Sequence, residues 1–261
     1  MVKPSRYNLR QRLLAEDAPL FGTFIKSTAV HSVEIMGGLG YDFVIIDAEH
    51  APLDRGVTEL LILAARASAT PALVRVSEIE GYSILSALDD GAAGVLGPHI
   101  DSADRAQKLV AASRYGGKRG FSNSPRAGGY GERSLWDHVD RADDEVAVVA
   151  MIEDPEAIEH LDEILAVEGL DAIFIGRGDL TVAMNDRAPG APRVTEATEN
   201  ILDAANREGI PVLLLVTDAA EASYYRSRNV RGFVIASDYG FMRAAAKQAL
   251  NTFVSACSRD V

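Results

Sequence analysis

The amino-acid sequence predicts an α/β protein that forms one (β/α)₈ TIM barrel over residues 1–261. Short apolar runs alternate with longer helical segments from end to end, in eight β-then-α units. The short runs are continuously apolar, as in Phe43-Val44-Ile45-Ile46, which is typical of parallel strands covered on both faces. No shift in composition divides the 261 residues. A doubly wound sheet is the main alternative, and its smaller strand number fits less well.

Each predicted strand is a short run rich in apolar and β-branched residues. The predicted strands are Leu20–Ile25, Asp42–Asp47, Ala72–Val76, Gly94–Gly97, Ala147–Ile152, Asp171–Ile175, Pro211–Val216 and Gly232–Ala236.

Segments with a helical apolar face or a helix-start signal separate the strands. A proline at position 155 suits a first helical turn, and Asp-Ser-Ala-Asp at 101–104 is an N-cap signature. We predict Arg114–Asp144 to be irregular, because glycines recur through it, and such a loop is either a lid or a surface insertion. The predicted helices are Arg55–Ala67, Asp101–Ala112, Pro155–Val167, Thr195–Glu208, Asp218–Ser227 and Tyr239–Ser255.

Charge and composition exclude several classes of protein. The chain has 26 basic and 38 acidic residues, a net charge of −12, which argues against nucleic-acid binding and means that an anionic substrate needs a local arginine or metal ion. The one cysteine, Cys257, permits no intrachain disulfide and no CxxC metal site. No apolar run follows residues 1–7 and none approaches about 20 residues, so we expect no signal peptide, no membrane association and a cytoplasmic location.

Two acids stand at the ends of neighbouring predicted strands, where the chemistry of a barrel gathers. Glu153 follows the fifth strand and Asp179 follows the sixth. Adjacent carboxylates need a cation between them or one bound proton, and an all-oxygen site suits Mg²⁺ or Mn²⁺. Alternatively, each acid caps the helix that follows it.

A histidine at the end of the second strand is a candidate general base. His50 lies beside Asp47 and Glu49, and a histidine moves protons near neutral pH. Asp89 or Asp90 could orient its ring. The alternative is a histidine with a packing or surface role.

Two cations follow predicted strands. Arg75 ends the third strand, where it either pairs with Asp47 or Glu49 or stabilises an oxyanion. Lys26, just after the first strand, is the one lysine placed for Schiff-base chemistry, which we expect less than metal chemistry.

Ordered motifs run along the chain from about Phe21 to the C-terminus. They are Phe-Gly-Thr-Phe at 21–24, Tyr-Asp-Phe-Val-Ile-Ile-Asp-Ala-Glu-His at 41–50, Arg75 after Pro-Ala-Leu-Val, Leu-Asp-Asp-Gly-Ala at 88–92, Ser-Arg-Tyr at 113–115, Arg-Gly at 119–120, Ile-Glu at 152–153 and Phe-Ile-Gly-Arg-Gly-Asp-Leu at 174–180. Together these motifs resemble the HpcH/HpaI family of metal-dependent pyruvate aldolases, which is related to citrate lyase β chains.

The resemblance implies roles for particular residues. Glu153 and Asp179 would hold the divalent metal, His50 would be the base with Asp89 supporting it, and Arg75 would steady the enolate oxygen. Backbone near Gly178 and Asp179 would hold the substrate carboxylate. It also implies a homo-oligomer, a hexamer built as a trimer of dimers that exchange their last helix.

Two positions depart from the family pattern and bear on substrate choice. Met151 replaces a common glutamine two residues before the metal glutamate, at a position expected to contact substrate. Gly-Arg-Gly-Asp replaces Gly-Pro-Ala-Asp, so that Arg177 adds a positive charge beside the metal loop.

The expected activity is reversible cleavage of a 4-hydroxy-2-oxo acid to pyruvate and an aldehyde, with Mg²⁺, Mn²⁺ or Co²⁺. Three alternatives remain. One is an acyl-CoA lyase of the citramalyl- or malyl-CoA type, for which Lys118-Arg119 and Arg126 would contact the phosphates. The others are a non-catalytic barrel and a Schiff-base enzyme that uses Lys26.

Overall fold

Eight parallel strands pair in chain order, and the last pairs with the first to close a barrel. The computed structural model describes residues 8–15, 18–79 and 81–257. The barrel confirms the predicted fold class, and each strand begins and ends within one residue of its predicted bounds. The strands are β1 Leu20–Ile25, β2 Phe43–Asp47, β3 Ala72–Arg75, β4 Gly94–Gly97, β5 Ala147–Ile152, β6 Ala172–Ile175, β7 Val212–Val216 and β8 Gly232–Ser237.

Helices fill the connections between the strands. The predicted helix Arg55–Ala67 has the observed bounds, and the side chain of Asp54 accepts the N–H of Val57 at its start. The helices are α1 Leu9–Leu14, α2 Val30–Leu39, α3 Arg55–Ala67, α4 Gly81–Asp89, α5 Ala103–Ser113, α6 Leu135–Glu145, α7 Pro155–Glu159, α8 Leu161–Leu165, α9 Arg177–Ala183, α10 Pro192–Glu208, α11 Ala219–Ser227 and α12 Asp238–Cys257.

Two helix predictions are wrong in part. The single helix predicted at Pro155–Val167 is two short helices, because His160 leaves helical geometry with φ −108° and ψ 15°. The stretch predicted to be irregular contains α6, which buries His138 and Ala142 on one face four residues apart.

The core has two layers that meet at the sheet. Side chains from alternate strand positions, including Phe43, Leu73 and Phe174, fill the barrel interior. The outward-facing positions, such as Val44 and Ile46, pack against the surrounding helices. Because the interior is packed, open space for a ligand lies at the strand ends.

The last helix contacts the barrel chiefly at its first residues. The carboxylate of Asp238 accepts the backbone N–H groups of Lys26 and Ser27 at 3.0 Å each. Farther along, Leu250 and Phe253 are 64% and 70% exposed. The distal part of α12 therefore presents apolar side chains that the other described residues do not cover.

In the described part of the chain, none of the helices combines the length and the apolar character needed to span a bilayer. The prediction of no signal peptide concerns residues 1–7, which lie outside the described residues.

Candidate active site

The C-terminal ends of the strands open into a cleft of about 640 Å³. It contains candidates from five different strand ends, as barrel topology predicts. Lining side chains that the sequence singled out are Lys26, His50, Arg75, Met151 and Asp179.

Arg75 is buried at the bottom of the cleft and forms ion pairs with two acids. The register of β2 and β3 pairs Asp47 with Arg75, so that Nε and Nη2 donate to the two carboxylate oxygens of Asp47 at 2.9 and 2.6 Å. The Nη1 atom lies 3.2 Å from Oε2 of Glu49. Burial alone would raise the pKa of Asp47, but hydrogen bonds from Arg75 and Lys26 outweigh it and lower the pKa to about 2. The guanidinium is therefore held in one orientation.

Lys26 belongs to the same charge network. Its Nζ atom lies 2.8 Å from Oδ2 of Asp47 and 5.9 Å from the centre of the Phe24 ring. The nitrogen is thus engaged by a carboxylate, whereas a Schiff base would need it free to attack a carbonyl. This contact favours an ion-pair role for Lys26.

Glu153 is a nearly buried acid beneath the cleft, with 1% of its surface exposed. Its Oε1 atom accepts the backbone N–H of His99 at 2.9 Å. Burial raises its pKa to about 7; the N–H and charge of His99 oppose the shift, and the charges of Asp179 and Glu49 add to it. The ring Nδ1 of His99 lies 3.6 Å from Oε1, so the carboxyl group of Glu153 has one half-exposed histidine and two further carboxylates around it.

A glycine makes room for this acid. A Cβ at position 176 would lie 2.5 Å from Cβ of Glu153 and 2.8 Å from its Oε2, closer than atoms can approach. Gly176 therefore lets the end of β6 pass beside Glu153 before α9 carries Asp179 to the cleft.

The donor set fits a hard divalent cation. Oε2 of Glu49 is buried and accepts no hydrogen bond, although Arg75 lies near, and the carboxylates of Glu153, Asp179 and Glu49 lie close to one another. Within residues 8–15, 18–79 and 81–257, no three His, Cys, Asp or Glu side chains group as a metal site. The protein would thus supply two carboxylates, Glu153 and Asp179, as Mg²⁺ commonly accepts when water and substrate complete its shell.

His50 has the exposure and position of a proton-transfer group. Its backbone N–H donates to Oδ1 of Asp47 at 3.1 Å, which fixes the turn after β2. The ring is 53% exposed, lines the cleft and places Nε2 3.7 Å from Oε2 of Glu49.

Within the described chain, Asp89 and Asp90 lie away from His50, and the expectation that one of them orients the ring stays a prediction. Both lie at the end of α4, and a barrel helix runs opposite to its strand, so they reach the other end of the barrel. There Asp89 lies 3.4 Å from Nη2 of Arg119, and Asp90 lies 3.9 Å from Nε of Arg55.

Met151 and Gly178 lie where the sequence placed them, at the cleft. Met151 is 4% exposed, and its Sδ atom is 3.9 Å from Nη1 of Arg75. Its thioether thus touches the buried guanidinium. Gly178 also lines the cleft, in the first turn of α9.

Arg177 does not add free positive charge beside the metal loop, contrary to expectation. Its Nη1 lies 2.6 Å from Oε1 of Glu221, and Nη2 donates to the carbonyl of Leu215 at 2.6 Å. The other oxygen of Glu221 accepts both the N–H and the hydroxyl of Thr217. Sequence reasoning missed this group because its members lie about 40 positions from Arg177 with no local signal.

His99, which follows β4, had no predicted role. His99 has φ +52°, and its ring Nδ1 lies 3.1 Å from Asp154 while Nε2 lies 3.6 Å from Glu49. Burial would lower its pKa, but the hydrogen bond to Asp154 and the nearby acids raise it overall. The Gly-Pro-His sequence at the end of β4 is the sequence feature from which a role for His99 could have been predicted.

The basic residues proposed for CoA phosphates lie away from the cleft. Arg119 is 6% exposed beside Asp89, and Arg126 pairs with Glu59 at 2.8 Å. Neither they nor Lys118 line the cleft. No feature of the cleft therefore favours an acyl-CoA substrate.

Comparisons with known proteins agree with this geometry. A family model described as HpcH/HpaI aldolase/citrate lyase matches residues 20–245. The chain is 32% identical to a hydroxypyruvate/pyruvate aldolase of Paraburkholderia phytofirmans, over 93% of this chain and 95% of that protein. It is 31% identical to a 5-keto-4-deoxy-D-glucarate aldolase of Shigella dysenteriae, over 85% and 87%.

A solved structure shares the fold closely. The crystal structure of an HpcH/HpaI aldolase/citrate lyase family protein from Burkholderia cenocepacia superimposes with a TM-score of 0.89 at 30% identity, over 95% of this chain and 99% of that one. These matches confirm the resemblance carried by the sequence motifs. The chain belongs to the HpcH/HpaI aldolase/citrate lyase family and is a carbon–carbon lyase.

Proposed function

We propose that this protein is a metal-dependent aldolase that reversibly cleaves a 4-hydroxy-2-oxo acid to pyruvate and an aldehyde. The observation that carries the proposal is the nearly buried Glu153, which lies near two further carboxylates, those of Asp179 and Glu49. Arg75 and His50 line the cleft at the same strand ends. Two relatives named as aldolases, at 31% and 32% identity, support the reaction type.

Glu153 and Asp179 would hold the divalent ion, Mg²⁺, Mn²⁺ or Co²⁺. When bound, the ion supplies Lewis-acid polarisation of the ketone and carboxylate oxygens of the 2-oxo acid. Backbone near Gly178 and Asp179 would bind the substrate carboxylate.

Arg75 would stabilise the negative charge that develops on the ketone oxygen as the C3–C4 bond breaks. Asp47 holds two of its nitrogens in a fixed fork, so the guanidinium needs little rearrangement during the reaction. The electron pair of the broken bond moves onto the pyruvyl half, which later takes up a proton at C3.

His50 would remove the proton from the 4-hydroxyl group, directly or through one water molecule. Loss of that proton lets C4 become the aldehyde carbon. The half-exposed ring is able to exchange the proton with solvent.

Removal of divalent ions should lower retro-aldol turnover by at least about 100-fold, because the ketone oxygen loses its Lewis acid. Pyruvate release from a 4-hydroxy-2-oxo acid is measured before and after treatment with EDTA and dialysis. Activity should return when Mg²⁺ or Mn²⁺ is added back. Full turnover by the metal-free protein would reject the proposed mechanism.

We further propose a homo-oligomer, a hexamer built as a trimer of dimers, in which a second copy covers the distal part of α12. The exposed Leu250 and Phe253 support this arrangement. Light scattering after gel filtration should give about six times the mass of one chain, and Phe253→Glu should reduce it. A single-chain mass for the unaltered protein would contradict the proposal.

A further inference from the structure

We propose that the acceptor aldehyde of this enzyme is a neutral, hydroxylated molecule and carries no carboxylate of its own. This inference rests on the proposed aldolase function and names its second substrate class. It follows from two features of the cleft. Its lysine and arginine side chains are paired with carboxylates, and its threonine hydroxyls donate hydrogen bonds to other groups of the protein.

Each lysine and arginine of the described residues that line the cleft already faces a carboxylate. Lys26 and Arg75 share Asp47 at 2.8 and 2.6 Å. Arg177 lies 2.6 Å from Glu221. Because Arg75 is assigned to the pyruvyl half of the substrate, Lys26 and Arg177 are the remaining cations of this set. Both are paired, so neither is free to bind a carboxylate of the aldehyde.

Arg177 is the cation on the wall formed by β6, β7 and α11, and it is locked in place. Besides Glu221, it donates to the carbonyl of Leu215 at 2.6 Å, and its guanidinium lies 5.5 Å from the centre of the Tyr225 ring. Glu221 also accepts the N–H of Thr217 at 2.6 Å. Turning Arg177 toward a ligand would break this whole set of contacts.

The three threonine hydroxyl groups that line the cleft also donate their hydrogens within the protein. Thr181 donates to the carbonyl of Arg177 at 2.6 Å, Thr217 donates to Glu221 at 2.9 Å, and Thr195 donates to a carbonyl of the preceding turn at 3.1 Å. A hydroxyl that has donated its hydrogen can still accept one. These groups can therefore receive hydrogen bonds from substrate hydroxyls, but they cannot donate to a carboxylate, which only accepts.

A charged acceptor would also meet negative charge. Glu221 and Asp179 line this cleft, so a carboxylate placed there would lose hydration without gaining a positive partner. We therefore expect the neutral aldehyde to be favoured by at least about tenfold in kcat/KM.

The test compares two acceptors that differ in one group. D-Glyceraldehyde and 2-hydroxy-3-oxopropanoate share the aldehyde and the C2 hydroxyl, and differ in CH₂OH against a carboxylate. In the condensation, pyruvate loses one methyl proton, its C3 bonds to the aldehyde carbon, and the aldehyde oxygen takes up a proton. The kcat/KM for each aldehyde is measured with pyruvate and Mg²⁺.

Exchange of pyruvate methyl hydrogens for deuterium, followed by NMR without any aldehyde, reports on the first half of the reaction. Intact exchange with equal or higher kcat/KM for the acidic aldehyde would overturn this inference and leave the aldolase function standing. Absence of exchange and of turnover would overturn the proposed function, and this inference with it.

Glu221→Gln should shift the preference toward the acidic aldehyde by about fivefold or more, because it frees the charge of Arg177 while glutamine can still accept from Thr217. Asp162→Asn is the matched control: it removes one negative charge from an exposed pair with Arg207 and should leave the ratio unchanged. Adding Arg177→Gln to Glu221→Gln should cancel the shift. An equal shift in the Asp162 variant would contradict the assignment to Arg177.

Discussion

Replacement of Glu153 by glutamine should lower kcat/KM for pyruvate-forming cleavage by about 1000-fold. Glutamine keeps the size of the side chain and can still accept the N–H of His99, so the fold around β5 should survive. It removes one of the two negative charges proposed to hold the metal ion, and with it several kcal/mol of transition-state stabilisation. Mn²⁺ binding, measured by electron paramagnetic resonance, should weaken in parallel.

The neighbouring acid provides the control. Asp154 follows Glu153 directly, but its side chain is 27% exposed and its carboxylate contacts the ring of His99 on the surface. Asp154→Asn should change kcat/KM by less than about tenfold, through loss of an ion pair with His99 alone. Unchanged Mn²⁺ affinity in Glu153→Gln would show that the buried acid is not a metal ligand.

Much of the barrel could be predicted because each strand is recognisable from its own short stretch of sequence. A continuously apolar run such as that of β2 needs neighbours on both faces, and eight such runs separated by helical segments leave few other topologies. The break at His160 was not predictable in the same way, since residues 155–167 all suit a helix and packing decides where it ends. The stretch that contains α6 was predicted to be irregular because of its glycines, although α6 itself is an amphipathic segment of 11 residues.

The site was predictable to the extent that it depends on strand ends. Arg75, Glu153 and Asp179 follow strands, and parallel strands in a closed barrel bring their ends to one face. Asp89 ends the helix α4, and within one chain the C-terminal end of a barrel helix lies at the face opposite to the C-terminal ends of the strands. The partner of Arg177 was not predictable, because Glu221 reaches it from another βα unit and nothing in the sequence marks the pair.

The charges around Arg75 explain how a buried cation is held ready for an anionic substrate. Lys26 and Arg75 together face Asp47, and Glu49 lies against the remaining nitrogen of Arg75. The pKa of Asp47, lowered to about 2, shows that the positive charges dominate its surroundings. The ion pair with Asp47 requires a planar, forked cation, because Nε and Nη2 each donate to one of its carboxylate oxygens.

Arg75→Lys should therefore lower kcat by about 100-fold or more while changing the KM for the oxo acid much less. Lysine keeps the charge, but a single ammonium group cannot bind both oxygens of Asp47 and also face a developing oxyanion. Steady-state kinetics of retro-aldol cleavage measures both constants. The melting temperature should also fall, because part of a buried ion pair is lost.

Arg114→Lys separates the catalytic effect from the structural one. Arg114 is also largely buried and paired, with Nη2 2.6 Å from Oδ2 of Asp171, but it lies near the start of β6, at the other end of the barrel from the cleft. We expect this variant to lose thermal stability to a similar degree and to retain kcat within about threefold, because no group at the cleft changes. A loss of kcat in Arg114→Lys as large as that in Arg75→Lys would mean that general destabilisation, and not a missing guanidinium at the reacting oxygen, accounts for the defect.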